Sequence, residues 1–192
     1  MKGDEGDVPA FKHSPATKGL QVMSYHSVAD RLRYQEKWEE FVAYAELEGN
    51  GWAVEAHRRR GLSETDFTEI YSRYAKALVQ VGAPVPTDTD RAVGMPLELV
   101  ARTNPYSMPA TETLTVTLLW QGRPMEGAQV TIFRKTDVVT ETNQRTDRSG
   151  EVSVHLAGGG LFLLSAVHLR DSPRGDADWE SHWASLTFRT SQ

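Results

Sequence analysis

TDRSGEVSVHLAGGGLFLLSAVH, residues 146–168, decides how the fold is read. A polar turn (Asp147, Arg148, Ser149, Gly150) leads into an alternating segment, three glycines and a dense apolar segment. Alternation at period two marks a strand with one buried face. Glycine supplies the positive φ that tight connections need. The simplest reading is a hairpin turning on Gly158, Gly159 and Gly160, with Val154 opposite Leu163 and His155 opposite Phe162. One face of that hairpin carries Val152, Val154, Leu163 and Val167, a core set. The other places Ser153 and His155 beside Phe162, Leu164 and Ala166, which is too apolar to be left wet. Helices are the expected cover for it.

Upstream, residues 122–133 (GRPMEGAQVTIF) repeat the pattern of turn then strand, with Val130 and Ile132 on one side. Residues 112–120 alternate Leu114, Val116 and Leu118 with Thr113, Thr115 and Thr117, and residues 97–101 form a short strand stopped by Asn104-Pro105. Further strands are expected over 151–156, 161–168 and 183–190. Short strands at this spacing, joined by Gly/Pro/Asp turns, predict an antiparallel β-sandwich.

Closer to the N-terminus the period changes. Tyr34, Trp38, Phe41, Val42 and Ala45 fall on one helical stripe beginning at residue 30, and Gly49 suits the position that ends a helix. Residues 52–60 predict a second helix. Phe67, Ile70, Tyr71, Tyr74, Ala75 and Leu78 predict a third, with Ser63 and Asp66 as a capping pair and Gly82 as its stop. The expected organisation is an N-terminal arm with one short strand (1–29), a helical segment (30–82), a linker (83–96) and the sandwich (97–192). The fold class is therefore α+β: an immunoglobulin- or transthyretin-like sandwich with two or three helices packed on it.

The bulk numbers exclude several functions. A formal net charge of −5 and a pI near 5.7 argue against a nucleic-acid partner, which favours a basic face. No window reaches the roughly 18–20 apolar residues of a membrane span. Cysteine is absent, which removes disulfides, thiolate nucleophiles and thiolate metal sites. No apolar export signal is read in residues 1–29.

The series FVAYAELEGN, TEIYSRYAKALVQVG, GMPLELVARTNPYSM, LTVTLLWQGRPMEGAQVTIF, TDRSGEVSVHL, LFLLSAVHL and DWESHWASLTF is familiar in this order. Over about residues 19–188 it resembles a bacterial family, domain of unknown function 4198, historically labelled as a periplasmic component of cobalt and nickel uptake. The most specific pieces are Glu69 to Arg73 with Ala75 and Lys76, the Pro96-Leu97-Glu98-Leu99 run with Asn104-Pro105, and the run from Trp179 to Phe188. The C-terminal part is also similar to transthyretin-like and carboxypeptidase-regulatory modules. Members usually begin with a signal peptide and a further β-region ahead of the position of Gly19. The resemblance implies a periplasmic or secreted accessory protein working beside a membrane transporter component.

Imidazole and carboxylate suit nickel or cobalt where thiolates are lacking. The expected ligands are His168, His182, Asp176 and Asp178, a strand-end histidine and a second histidine joined by a loop that also holds Asp171 and Glu180. No His-x-His or His-x-x-x-His spacing supports them, and the bland reading is a buried strand end beside a solvated acidic loop. His13, His26 and His57 lie beside mobile or basic sequence, and His155 and His168 stand too far apart on the hairpin to pair. There is no Gly-x-Ser-x-Gly elbow, and the three glycines lack the strand-to-helix setting and Lys-Ser/Thr of a phosphate loop. Trp179 and Trp183 offer either a sugar-stacking platform or core packing. The expected function is non-enzymatic: a binding or accessory protein, with a structural module that binds a protein or glycan partner as the alternative.

Overall fold

The computed structural model describes residues 14–190 other than Val28, Pro86, Ala110 and Thr111; His13 and the start of the expected arm lie outside that range. Two sheets face each other. The larger has seven strands: β1 (Gly19–His26), β2 (Asp30–Gln35), β3 (Asp66–Val81), β7 (Gln129–Lys135), β8 (Val139–Arg145), β10 (Gly160–Asp171) and β11 (Trp179–Thr190). Its order is β1-β3-β11-β10-β7-β8, with β2 on the same edge of β3 as β1. The smaller holds β4 (Leu97–Ala101), β5 (Thr113–Trp120), β6 (Arg123–Pro124) and β9 (Glu151–His155), all paired to β5. The ladders are antiparallel except β3 against β11, which run parallel with Glu69 opposite Trp179.

The sheets meet through alternate residues. Leu114, Val116, Leu118, Val152 and Val154 from the smaller sheet pack with Tyr74, Leu78, Val130, Ile132, Phe162, Leu164, Ala166, Ala184, Leu186 and Phe188 from the larger. Burial of this apolar surface is the main driving force for the sandwich.

This arrangement overturns the hairpin. β9 pairs with β5, so Val154 lies opposite Leu114 and His155 opposite Thr113. β10 pairs with β7 and β11 in the other sheet. Gly158, Gly159 and Gly160, all at positive φ, carry the chain from one sheet to the other. Two apolar sets that a hairpin leaves on opposite faces now meet across the sandwich, which is the energetic reason for the crossover. Leu163 points outward and is 38% exposed.

The third helix is also a correction, because residues 66–81 form β3. Ile70, Tyr74 and Leu78 recur every fourth residue, a spacing that fits both a helix and one face of a strand. The positions between them on that face are Ser72 and Lys76, buried polar residues that hide the alternation. Residues 30–35 are likewise a strand, and α1 (Trp38–Leu47) begins only after it. α2 (Trp52–Arg59) follows as expected. The two helices cover one end of the larger sheet on its outer face, where Tyr34, Phe41, Ala53, Ala56, Phe67, Leu169 and Trp179 form a second core. They do not cover Phe162, Leu164 and Ala166.

The expected divisions at residues 82 and 97 separate no layers, since β3 lies inside the sheet that β10 and β11 complete. The expected linker is likewise bound to the sandwich: the Asp90 carboxylate accepts the Ala101 N–H, and that of Glu98 accepts the N–H groups of Val93, Gly94 and Met95.

Candidate functional site

His168 and His182 are cross-strand partners on β10 and β11. Both face inward, toward the smaller sheet, at the end where Trp120 closes β5. The Trp120 ring lies 4.5 Å from that of His168 and 4.6 Å from that of His182, between ring centres. The two imidazoles are stacked 6.4 Å apart. One step along the strands, Arg170 and Glu180 face each other and form an ion pair at 2.6 Å, with the Arg170 guanidinium 5.5 Å from the Trp120 ring centre. Tyr74 on β3 completes the group, its hydroxyl 2.9 Å from His182 Nδ1. His26, on edge strand β1, packs against Tyr74 with the rings tilted and their centres 4.7 Å apart.

Burial dominates the electrostatics here. It pushes the His168 pKa down to about 4, helped by His182 and by the Arg170 charge. It also lowers that of His182, against the pull of Glu180. Both rings are therefore neutral near neutral pH, the form that donates a nitrogen lone pair. His182 is only 7% exposed, and its Nε2 has no hydrogen-bond partner among the described residues. Glu180 Oε2, at 3.5 Å from that nitrogen, is too far for a good bond and already serves Arg170. A buried nitrogen without a partner is costly and rare.

The predicted carboxylates do not join the histidines. Asp176 pairs with the exposed Arg31. The Asp178 carboxylate accepts the Thr68 N–H at 2.8 Å, tying the 171–178 loop to β3. In extended chain, Asp178 and His182 are roughly 13 Å apart along β11. Asp171 pairs with Arg60 at the C-terminal end of α2. No group of three or more His, Asp or Glu side chains poised to hold a metal occurs among the described residues.

The remaining histidines divide clearly. His57 is wholly buried: its Nε2–H donates to the Ser63 carbonyl at 3.0 Å, and its Nδ1 accepts the Trp179 indole N–H at 3.0 Å. It is a structural pin between α2 and the sheet, and Trp179, also wholly buried, is core rather than sugar platform. Trp183 stacks on Tyr44 of α1 at 5.5 Å. His155 is exposed beside Thr113.

A family model, Domain of unknown function (DUF4198), matches residues 1–170. The chain belongs to the DUF4198 family. No curated protein and no solved structure matches it. The DUF4198 match contains His168, Arg170, Tyr74 and Trp120 and ends before Glu180 and His182. In this DUF4198 chain, Trp120, Tyr74 and Arg170 were not read from the sequence as site residues. Trp120 was legible only as the end of a strand, and the packing of the smaller sheet on the larger places it on both histidines. The face of the larger sheet turned away from the site bears a groove of about 900 Å³ at the opposite end, lined by Val79, Tyr106, Lys135, Leu161 and Arg189 among others.

Proposed function

We propose that this DUF4198 chain is a non-enzymatic, extracytoplasmic binding or accessory protein that takes up a first-row divalent ion, nickel or cobalt, at His168 and His182 and assists its passage to a membrane transporter. The observation that carries this reading is the neutral cross-strand histidine pair with the unpartnered Nε2 of His182. Neutral imidazole is a good donor to these ions. The fit is partial: two nitrogens supply two positions, and water or a partner protein supplies the rest. Glu180 offsets the Arg170 charge that otherwise repels a cation. Tyr74, holding His182 Nδ1, fixes the ring and leaves Nε2 as the donating atom, in the manner of outer-shell partners of metal-bound histidines.

Nickel titration by calorimetry tests it on the wild-type chain, on His168→Ala and His182→Ala, and on the double variant, with circular dichroism as the folding control. Expected is micromolar-class binding that falls at least about tenfold in each single variant, a loss of about 1.4 kcal/mol or more, and vanishes in the double. Wild-type binding no tighter than millimolar, or full affinity in the double variant, refutes the site.

A second reading, an interaction module for a protein or glycan partner, has one observation in its favour. The outer face of the larger sheet beyond the helices is open, with Tyr25 62% exposed and Leu163 and Val79 partly so. Loss of partner capture in Tyr25→Ala, with nickel binding intact, supports that reading instead.

A further inference from the structure

A cluster of buried charges lies outside the histidine site. Lys76 sits on the inner face of β3, and its Nζ is 3.0 Å from Asp90 Oδ2 and 3.1 Å from Glu98 Oε1. The side chains of Lys76 and Asp90 are 0% exposed and that of Glu98 is 2% exposed. Nζ also donates a hydrogen bond to the Arg91 carbonyl oxygen at 3.2 Å.

The two carboxylates have different surroundings. Glu98 accepts three backbone N–H groups, from Val93, Gly94 and Met95, which hold its negative charge in place. Asp90 accepts one N–H on each oxygen, from Arg91 on Oδ1 and from Ala101 on Oδ2. The Arg91 N–H is fixed on the oxygen that takes the negative charge when a nucleophile adds at Asp90 Cγ, while the Ala101 N–H holds the other oxygen. The cluster thus holds an amine, a carboxyl group with an oxyanion donor and a second carboxylate, in a place from which water is excluded. Separated charges are costly in such a place. Moving one proton from Lys76 to Asp90 cancels two of them.

We propose that Lys76 and Asp90 condense without any other protein into an intramolecular isopeptide bond, with Glu98 carrying the proton. Lys76 Nζ–H passes a proton to the adjacent Asp90 oxygen, leaving a neutral amine and a neutral acid. The amine lone pair attacks Asp90 Cγ, and the N–C bond forms as the carbonyl π pair moves onto Oδ1, where the Arg91 N–H stabilises the negative charge. The adduct nitrogen, now positive, gives a proton to Glu98. Glu98 returns it to the departing hydroxyl, the C–O bond breaks, and water leaves. Nothing is oxidised or reduced, Glu98 ends as it began, and the chain loses one water and no net charge. Fixed contact of amine and carboxyl group supplies the high effective concentration that amide formation needs. The product joins β3 covalently to the segment that leads into β4, and so couples the two sheets.

Mass spectrometry of the full chain under denaturing conditions tests this after incubation of the folded protein at neutral pH. Expected is a mass one water below that of the sequence, and a tryptic peptide spanning residues 74–91 in which the bond after Lys76 resists cleavage. Lys76→Arg and Glu98→Gln should keep the full mass. A folded wild-type chain at full mass and cut after Lys76 overturns the proposal and leaves a non-covalent ion cluster. Water loss within residues 77–91 with Lys76 still cut is a succinimide at Asp90, and overturns it equally.

Discussion

Tyr34→Phe isolates one hydrogen bond to a buried carboxylate and leaves the ring in place. The Tyr34 ring stacks on Phe67 at 4.6 Å, a contact that phenylalanine keeps. Its hydroxyl donates to Glu69 Oε2 at 2.9 Å, while Tyr44 and Ser181 donate to Oε1. Glu69 is 2% exposed, and burial raises its pKa against the pull of these donors. Because the folded value lies above the unfolded one, the stability linked to Glu69 is fully present below the unfolded value of 4.5 and is lost as pH rises through the folded value. Removing Tyr34's hydroxyl takes away a donor that favours the anion, so the folded pKa rises further. The cost is therefore greatest where Glu69 is ionised, about 1.5–3 kcal/mol for a bond to a charged group. Below the folded pKa the lost bond is between neutral groups and costs about 0.5–1.5 kcal/mol. Urea denaturation of wild type and variant as a pH series reads both regimes, the cost growing as pH rises through the folded value. A cost that never exceeds about 0.5 kcal/mol, or that does not change across the series, refutes the reasoning.

Other substitutions test the rest of the fold. His57→Phe keeps an aromatic ring but strands the Trp179 N–H and the Ser63 carbonyl, and should cost about 2–4 kcal/mol in urea denaturation; a loss under about 1 kcal/mol would show that the pin is dispensable. Leu164→Asp, at 0% exposure, should abolish cooperative unfolding, whereas Leu163→Asp should stay within about 1 kcal/mol; the reverse order would restore the hairpin register. Gly122→Ala, at φ 75 with open space around it, should cost about 1–2 kcal/mol from backbone strain alone. Gly150→Ala should cost about 3 kcal/mol or more, since its Cβ would stand 2.8 Å from both the Leu118 oxygen and the Met125 nitrogen. Thermal denaturation ranks the two, and equal melting temperatures would contradict the close approach at Gly150.

Local periodicity made much of the sandwich legible. Leu114, Val116 and Leu118, and Val152 and Val154, alternate plainly because they face the core while most of their neighbours on the other face of the smaller sheet are polar and exposed or half-buried. β3 was illegible for the opposite reason. It is covered on one face by the smaller sheet and, near Phe67, by helices on the other, so its polar residues Ser72, Lys76 and Glu69 are buried as well. β8, with Thr140, Glu141, Thr142 and Asn143 all exposed, gave no hydrophobic signal. At the candidate site, His168 and His182 were picked out by type, and β10–β11 pairing brings them together. Asp176 and Asp178 were picked out by nearness in sequence, which along a strand is distance in space.

The strand nearest the C-terminus occupies the middle of the larger sheet. β11 lies between β3 and β10, and the whole smaller sheet is made between β3 and β11 in the chain. A growing chain therefore carries β3 and β10 with unfilled edges until β11 is made. Such long-range pairing slows folding, and the waiting edges invite mispairing. Damage near residue 185 should consequently be felt at the centre of the molecule, while loss of β1 trims only a border. For this protein, commitment to the native state waits on the strand that joins β3 to β10.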